Sequence, residues 1–385
     1  MSTRKLDAWL DAGLIDQATR DRIVAYEDQH SRPIALWAVI GIGALAIGLG
    51  VISVVAANWE DVPGQVRLAI HLLLFAGLAG FIGLRGDRLE KDHPWGLEAA
   101  LFVLGVLGMT FFGHIGQVYQ TASPLWRPLA AALALFGPIV LLRGQSWVTA
   151  MLFMGTLVAT CWEYASTFDA FFFGKLQEAP FLWLSVVTAF PVLLAAPAAW
   201  LRSRSNRSVF WKRLEQLAVI YAVVCASLLC ILASIGESDK GYFGLAAQSI
   251  RGAIAVVTAG LILFARPGRS GQATGLVFVS VAFACFLAHP FADQTLMAGL
   301  LFMALWIAIA AAALFAGWRG VFQVAVAVVA FRLIVLSFEL ASDLLMSGFG
   351  LIIAGFMILG IAFAAFKVSR KFAPERHRSD EEAET

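Results

Sequence analysis

Three polar side chains with a helical spacing stand out in the segment GHIGQVYQ, residues 113–120. His114, Gln117 and Gln120 are three residues apart, so in an α-helix they share one face. An imidazole gains or loses a proton near neutral pH, and an amide both donates and accepts hydrogen bonds. Because the segment ends a long apolar run, the spacing predicts a polar helix face that exchanges protons or binds a polar solute.

Four further ionisable residues interrupt apolar runs elsewhere, namely His71, Glu163, Arg332 and Glu339. A charged side chain at the centre of a membrane helix costs roughly 2.5–3.5 kcal/mol, so such residues face a bundle interior or a hydrated cavity. Arg332 lies in the middle of its run and needs an acidic partner. Glu339 and Glu163 are the two candidates for that partner.

We predict that these residues reach a common depth near the extracytoplasmic surface. The turn AANWEDVP adds four residues on the same side, Asn58, Trp59, Glu60 and Asp61. The predicted polar pocket, open to the outside, is lined by His71, His114, Gln117, Gln120, Glu163, Arg332 and Glu339. Two simpler interpretations stay open: residues 113–120 lie at the membrane interface with Tyr119 in an aromatic belt, and NWEDVP is a tight turn anchored by Trp59.

The sequence indicates no reaction. It contains no glycine-rich phosphate loop and no HExxH or GxSxG motif, and its four cysteines lack CxxC spacing, which predicts buried free thiols. We therefore predict no catalytic residue, no metal and no cofactor. The net charge of +2, without a basic run interleaved with aromatic residues, also argues against a nucleic-acid partner.

The elements that must position these side chains are membrane helices. Hydrophobic residues make up 60% of the chain, charged residues 14%, and the mean hydropathy is +0.80, whereas soluble domains carry about 25% charged residues. Since a helix needs about 20 apolar residues to cross a bilayer, we predict an all-α polytopic bundle of about twelve spans, with ten or eleven still possible. The predicted spans are 34–57, 66–84, 97–119, 125–142, 147–163, 181–201, 216–235, 249–265, 272–288, 295–317, 320–341 and 347–367.

The distribution of basic residues predicts the orientation. With a cytoplasmic N-terminus, 22 of the 28 Lys and Arg residues fall in segments on the cytoplasmic side, as the positive-inside rule requires. Both termini are then cytoplasmic. The predicted regions are a cytoplasmic N-terminal helical hairpin (1–33), a first membrane half (34–201), a basic cytoplasmic loop (202–215), a second membrane half (216–367) and a disordered cytoplasmic tail (368–385).

Four motifs together resemble one bacterial membrane-protein family, catalogued as domain of unknown function 2157. They are AGLID at 12–16, AANWEDVP at 56–63, GHIGQVYQ at 113–120 and the glycine-spaced SGFGLIIAGFMILG at 347–360. The similarity is best over residues 5–145. It implies a polytopic protein of the bacterial inner membrane and carries over no activity and no catalytic residue.

A rival resemblance concerns the segment GLRGDRLEK at 83–91, predicted as a loop after the second span. It is similar to the GxxxDRxGRR loop of major-facilitator transporters in Gly83, Asp87, Arg88 and Lys91. Glu90 stands where the second glycine of that pattern belongs, which weakens the similarity.

Three hypotheses of function stay open. The first is a secondary transporter or permease for a small polar, anionic or lipid-linked solute. The second is a non-transporting scaffold or sensor that docks a protein partner through residues 1–30. The third is an intramembrane enzyme acting on a lipid-linked substrate, with His114 as base assisted by Glu60 or Asp61. In each case the lipid bilayer is the surrounding partner.

Overall fold

The computed structural model describes residues 3–30, 46, 62–120, 123–172, 179–235, 244–340 and 348–372. All regular secondary structure in these ranges is helical, which confirms the predicted all-α class. The fourteen helices with defined bounds are α1 (Thr3–Asp11), α2 (Gln17–His30), α3 (Gly64–Asp92), α4 (Pro94–Tyr119), α5 (Trp126–Arg143), α6 (Trp147–Phe172), α7 (Ala179–Leu193), α8 (Ala195–Arg204), α9 (Ser208–Ile235), α10 (Leu245–Ala265), α11 (Arg269–Ala288), α12 (Thr295–Ala316), α13 (Arg319–Leu340) and α14 (Gly348–Phe372).

The chain divides into two compact units, residues 1–67 and 68–385. In the first unit Gly13 takes a φ of +69° after α1, a conformation that glycine adopts without steric cost. Asp16 then caps α2, because its carboxylate accepts a 2.8 Å hydrogen bond from the Thr19 N–H. The hydrogen bonds from Thr19 lower the pKa of Asp16. A glycine after one helix and an aspartate before the next are the ordinary sequence signals for a helix end and a helix start, so both features are predicted by the local sequence.

Ten helical segments in the described residues are long and apolar enough to cross a membrane, counting α7 and α8 together as one. They correspond to predicted spans two to eleven. The first predicted span, 34–57, lies outside the described residues except for position 46, and residues 348–367 of the twelfth fall within the 25-residue helix α14. A multi-pass membrane protein with about ten spans is therefore shown, and the total of twelve stays a prediction.

Two local features differ from the sequence interpretation. The segment 83–91, predicted as a loop, is helical, because α3 continues to Asp92 before a one-residue connection to α4. The sixth predicted span is broken between α7 and α8 at Leu194. Pro197 has no N–H to donate to the Leu193 carbonyl, so the regular hydrogen-bond ladder is interrupted here. At the break itself the Leu194 N–H bonds to the carbonyl three residues earlier, that of Pro191.

One continuous apolar core runs from α6 to α13, and many of its members are alanines that allow close helix approach. The core thus extends across the predicted boundary at residues 202–215, and whether the two membrane halves are separate domains stays a prediction. A smaller cluster joins α3 and α4 through Ile82, Leu97, Leu101 and Leu104.

Helices α4, α5 and α6 pack tightly at a glycine. A Cβ atom on Gly108 would lie only 2.0 Å from the Phe136 ring, so only glycine fits there. Beside it lies an apolar cavity of about 20 Å³, lined among others by Met109, Leu152 and Thr156, which is space for about one water molecule. This cavity contains none of the predicted pocket residues.

Candidate functional site

Two of the predicted pocket residues, His71 on α3 and His114 on α4, are in direct contact. Their Nδ1 atoms are 3.4 Å apart, and the ring centroids are 5.7 Å apart. The other ring nitrogen of His71, Nε2, lies 2.9 Å from the Leu107 carbonyl oxygen on α4. The edge of the Phe111 ring packs against His71 with a centroid distance of 5.4 Å. Both histidines are half-buried.

These contacts determine which nitrogen of each neutral ring carries its proton. A carbonyl oxygen can only accept, so His71 donates from Nε2 and its Nδ1 keeps a lone pair. The contact between the two Nδ1 atoms then requires His114 to donate from Nδ1. The assignment follows from the hydrogen-bond network, as histidine tautomers ordinarily must.

The two glutamines that share the face of His114 have different surroundings. Gln120 has a φ of +51° and ends α4; its backbone N–H bonds to the Gly116 carbonyl, and its side chain donates a 3.0 Å hydrogen bond to the Gln117 carbonyl. Gln120 therefore caps the helix C-terminus, a local role that the helical spacing did not indicate. The Gln117 side chain is exposed.

Arg332 is the most buried charged residue among the predicted pocket residues, with 5% of its surface exposed. Its Nη1 atom lies 2.9 Å from the Glu339 carboxylate, and its Nη2 atom donates a 3.2 Å hydrogen bond to the Ser234 hydroxyl. The Phe302 ring lies 5.9 Å from the guanidinium carbon, within cation–π range. The acidic partner expected for Arg332 is thus Glu339.

The third nitrogen of this guanidinium, Nε, differs from Nη1 and Nη2. The buried Arg332 Nε has no hydrogen-bond partner in the part of the chain that the structure describes. A side chain at Gly299 would approach Arg332 Nη2 to 3.3 Å, so the glycine keeps space beside the charge. The Glu339 side chain is 30% exposed, so the ion pair extends from the interior toward the surface of the bundle.

Three helices hold this group in place. Ser234 lies near the end of α9, and its carbonyl accepts a 3.0 Å hydrogen bond from the Thr295 hydroxyl at the start of α12. The Asp293 N–H likewise bonds to the Ala233 carbonyl. These bonds tie α9 to α12. Helix α13, which carries Arg332, lies against α12.

The structure brings the predicted residues together in two contact groups. His71 contacts His114, and Arg332 contacts Glu339, Ser234 and Phe302. The Glu163 carboxylate makes no ion pair among the described residues, and its backbone carbonyl accepts from Ser166 and Thr167. The outer-turn residues Asn58, Trp59, Glu60 and Asp61 lie outside the described residues. A single shared pocket stays a prediction.

Sequence reasoning missed a buried carboxylate, Glu98, near the start of α4. It is 4% exposed and accepts hydrogen bonds from the backbone N–H groups of Gln145 and Ser146 and from the hydroxyls of Ser146 and Thr149. Glu98 thus caps the N-terminus of α6 from another helix. In sequence it resembles any solvated carboxylate at a helix start, so no local pattern could have distinguished it.

Arginines converge on the same end of the bundle. Arg207 donates to the carbonyls of Leu141 and Gly144, and Arg143 pairs with Asp87 on α3. Burial lowers the pKa of Arg207. The connection between α5 and α6 is therefore held by groups from α3, from α4 and from the connection between α8 and α9.

A second missed carboxylate lies at this end as well. Glu215 on α9 is 2% exposed and pairs with Arg202 at 3.1 Å and with Arg266. Burial lowers the pKa of Arg266, and the charge of Glu215 opposes that effect. Glu215 therefore joins the end of α8, which carries Arg202, to the connection after α10, which carries Arg266.

The described residues contain no group of three or more His, Cys, Asp or Glu side chains placed to hold a metal ion. The four cysteines are free thiols, with Cys161, Cys230 and Cys285 buried and Cys225 half-buried. The ionisable groups that the two contact groups contain are thus the imidazoles of His71 and His114, the guanidinium of Arg332 and the carboxylate of Glu339.

The helices that carry the histidine pair and Glu98 lie in one stretch of the chain. Residues 7–149 match the family model described as predicted membrane protein (DUF2157). The resemblance inferred from the sequence motifs is confirmed over this range, which is less than half of the chain. The DUF2157 description gives a membrane location and no activity. Comparisons with curated proteins and with solved structures found no match.

The DUF2157 region and the rest of the chain each carry one contact group. His71, His114 and Glu98 lie within the matched range, whereas Arg332 and Glu339 lie beyond it. The family match therefore says nothing about the arginine.

Proposed function

We propose that this protein is a secondary transporter or permease whose solute carries an anionic group that binds Arg332. The solute is small and polar, or it is linked to a lipid. The observation that supports this proposal is the buried Arg332 guanidinium, whose Nε has no hydrogen-bond partner among the described residues.

A buried guanidinium favours a site for an anion for electrostatic reasons. Removing a cation from water costs several kcal/mol, and only a partner anion with good geometry offsets that cost. Glu339 satisfies Nη1 alone, while Nε faces no acceptor among the described residues. An incoming carboxylate or phosphate would bind the guanidinium in bidentate fashion, through Nε and a neighbouring nitrogen. Glu339, which is partly exposed, is the group that such an anion would displace.

Uptake into proteoliposomes tests this proposal. We expect wild-type protein to take up at least one of three radiolabelled probes, inorganic phosphate, succinate or glycerol 3-phosphate, above the level of empty liposomes. Arg332→Gln should lower that uptake at least about tenfold, the equivalent of about 1.4 kcal/mol, because a charge-assisted hydrogen bond contributes that much or more.

Arg127→Gln is the matched control, since Arg127 is an exposed arginine beside Trp126 and should leave uptake unchanged. Equal uptake by wild-type protein and Arg332→Gln would contradict the role of Arg332. Uptake of no probe by the wild type would count against an anion permease.

A docking role is the second candidate, because the N-terminal unit exposes apolar side chains. Trp9 is 38% exposed, Leu14 72% and Tyr26 63%, which suits a protein partner. The same assay separates the two functions. Deletion of residues 1–30 should leave uptake intact in a permease and should abolish partner binding in a docking protein.

We further propose that the protein lies in the bacterial inner membrane with both termini cytoplasmic. The connections that carry Arg143, Arg207 and Arg266 then lie on the cytoplasmic side, as the positive-inside rule favours. A membrane-impermeant thiol reagent added to intact cells should label Tyr119→Cys and not Arg269→Cys, in a background without the native cysteines. The reverse labelling would invert the orientation.

A further inference from the structure

We propose that the anionic group bound by Arg332 is a carboxylate rather than a phosphate, and that Gly299 keeps space for it beside the guanidinium. This inference rests on the function proposed above, because it names the chemical class of the ligand at the same site. The contacts of the individual guanidinium nitrogens and the charges around Arg332 support it.

The two sides of the Arg332 guanidinium have different surroundings. Nη1 lies 2.9 Å from the Glu339 carboxylate. Nη2 and the Nε hydrogen lie together on the other side, the Nε edge, as a pair of parallel donors. At this edge Nη2 bonds to the Ser234 hydroxyl at 3.2 Å, and Nε has no hydrogen-bond partner among the described residues. The Nε edge is therefore the side at which an incoming anion gains a new hydrogen bond.

Gly299 on α12 keeps space at the Nε edge. A Cβ atom at this position would lie 3.3 Å from Nη2 of Arg332 and 3.0 Å from a methyl carbon of Leu336. Glycine is less favourable than alanine inside a helix, and Gly299 lies inside the 22-residue helix α12. The absence of a side chain therefore destabilises the helix locally, and the space that it leaves lies against the donor Nη2.

The charges at the site favour a group with one negative charge. The ion pair that Arg332 forms in the described structure is with Glu339. A ligand carboxylate that displaces Glu339 replaces one negative charge by another, so the net charge around the buried guanidinium stays the same. A phosphate monoester carries about 1.5 to 2 negative charges near pH 7 and would leave a surplus charge in this interior. Because burying an unpaired charge is unfavourable, the carboxylate is the better match.

The hydrogen-bond donors lead to the same ligand. The two oxygens of a carboxylate lie in one plane and match the two parallel donors of the Nε edge. A phosphate has a third oxygen, which needs a further donor. The Ser234 hydroxyl already donates to the Ile231 carbonyl at 2.8 Å, and the Phe302 ring and the Leu336 methyl groups around the site have no donor. The site thus satisfies a carboxylate more fully than a phosphate.

Equilibrium binding to the full-length protein in nanodiscs tests this inference without any need for transport. The probes are radiolabelled succinate and glycerol 3-phosphate, which are similar in size and carry a similar total charge near pH 7. Succinate has one charge on each of two groups, whereas glycerol 3-phosphate has its charge on one phosphate. We expect the dissociation constant of succinate to be at least about tenfold lower, because only the phosphate brings a surplus charge to Arg332.

Two variants of Arg332 locate the bound probe. Arg332→Gln should abolish succinate binding. Arg332→Lys keeps the charge and loses the parallel pair of donors, so it should raise the dissociation constant of succinate at least about tenfold. Unchanged succinate binding in either variant would overturn the inference. Equal or tighter binding of glycerol 3-phosphate by the wild type would overturn the preference for a carboxylate, and binding of neither probe would overturn the whole site.

Gly299→Ala should raise the dissociation constant of succinate at least about tenfold, because the added methyl group fills the space beside Nη2. Gly260→Ala is the matched control, since a Cβ atom at Gly260 in α10 would meet nothing within 4 Å. Gly299 also lets Leu336 approach α12, so the double variant Gly299→Ala/Leu336→Val relieves that crowding and keeps the added methyl group. Its binding should be as weak as that of Gly299→Ala. Wild-type affinity in either variant would overturn the role of Gly299.

Uptake separates a failure of this inference from a failure of the permease. Succinate binding at Arg332 without uptake of any probe would refute the permease and leave the carboxylate site intact. Uptake of phosphate or glycerol 3-phosphate that depends on Arg332, without uptake of succinate, would refute the carboxylate site and leave the permease intact.

Discussion

Replacing Glu98 by leucine should destabilise the protein by about 3–5 kcal/mol, because it leaves two backbone N–H groups and two hydroxyls without their acceptor. These donors lie at the N-terminus of α6, where a negative charge also interacts favourably with the helix dipole. The free energy of unfolding can be measured by titrating SDS into detergent micelles and following tryptophan fluorescence. Glu98→Gln should lie between the wild type and Glu98→Leu, since the amide keeps one acceptor oxygen.

Glu90→Gln is the matched control for this change. Glu90 lies 3.8 Å from Arg143 at the same end of the bundle, but its side chain is 34% exposed. An exposed ion pair contributes about 0–1 kcal/mol, so the control should have little effect. A loss for Glu98→Leu no larger than for Glu90→Gln would show that water replaces the carboxylate at the connection between α5 and α6.

Replacing Glu339 by leucine should cost about 3–5 kcal/mol, because it leaves the buried Arg332 charge without its counter-ion. Arg332→Met alone should cost less, since Glu339 is partly exposed and water can solvate it. The double variant Arg332→Met/Glu339→Leu should recover most of the stability lost in Glu339→Leu, because it removes both charges together. The same unfolding titration measures all three variants and completes a double-mutant cycle.

A double variant no more stable than Glu339→Leu would mean that the ion pair is not what stabilises this part of the bundle. Uptake separates stability from function here: the double variant should fold and still fail to transport, since it lacks the proposed anion-binding group.

The contacts of Arg332 and of Glu98 show why the partners of some polar residues could be predicted from the sequence and those of others could not. Arg332 lies mid-span, so the cost of its burial made a partner certain and left only the choice between Glu339 and Glu163. Glu98 lies at a helix start, where a solvated carboxylate is equally consistent with the sequence. Its partners at Gln145, Ser146 and Thr149 are distant in the chain. Only the packing of α4 against the connection between α5 and α6 brings them together.

The sequence by itself determined the helical class, the positions of ten membrane helices, the stop at Gly13 and the cap at Asp16. It could do so because hydrophobic length and capping are local properties, and because a bilayer forces each crossing segment to satisfy its own backbone hydrogen bonds. The tertiary structure decided that His71 meets His114, that Glu339 meets Arg332 and that span six breaks before α8. The position of a side chain within its span fixes its predicted depth in the membrane. Its neighbours depend on how each helix is rotated and on which helices pack together, and hydropathy encodes neither.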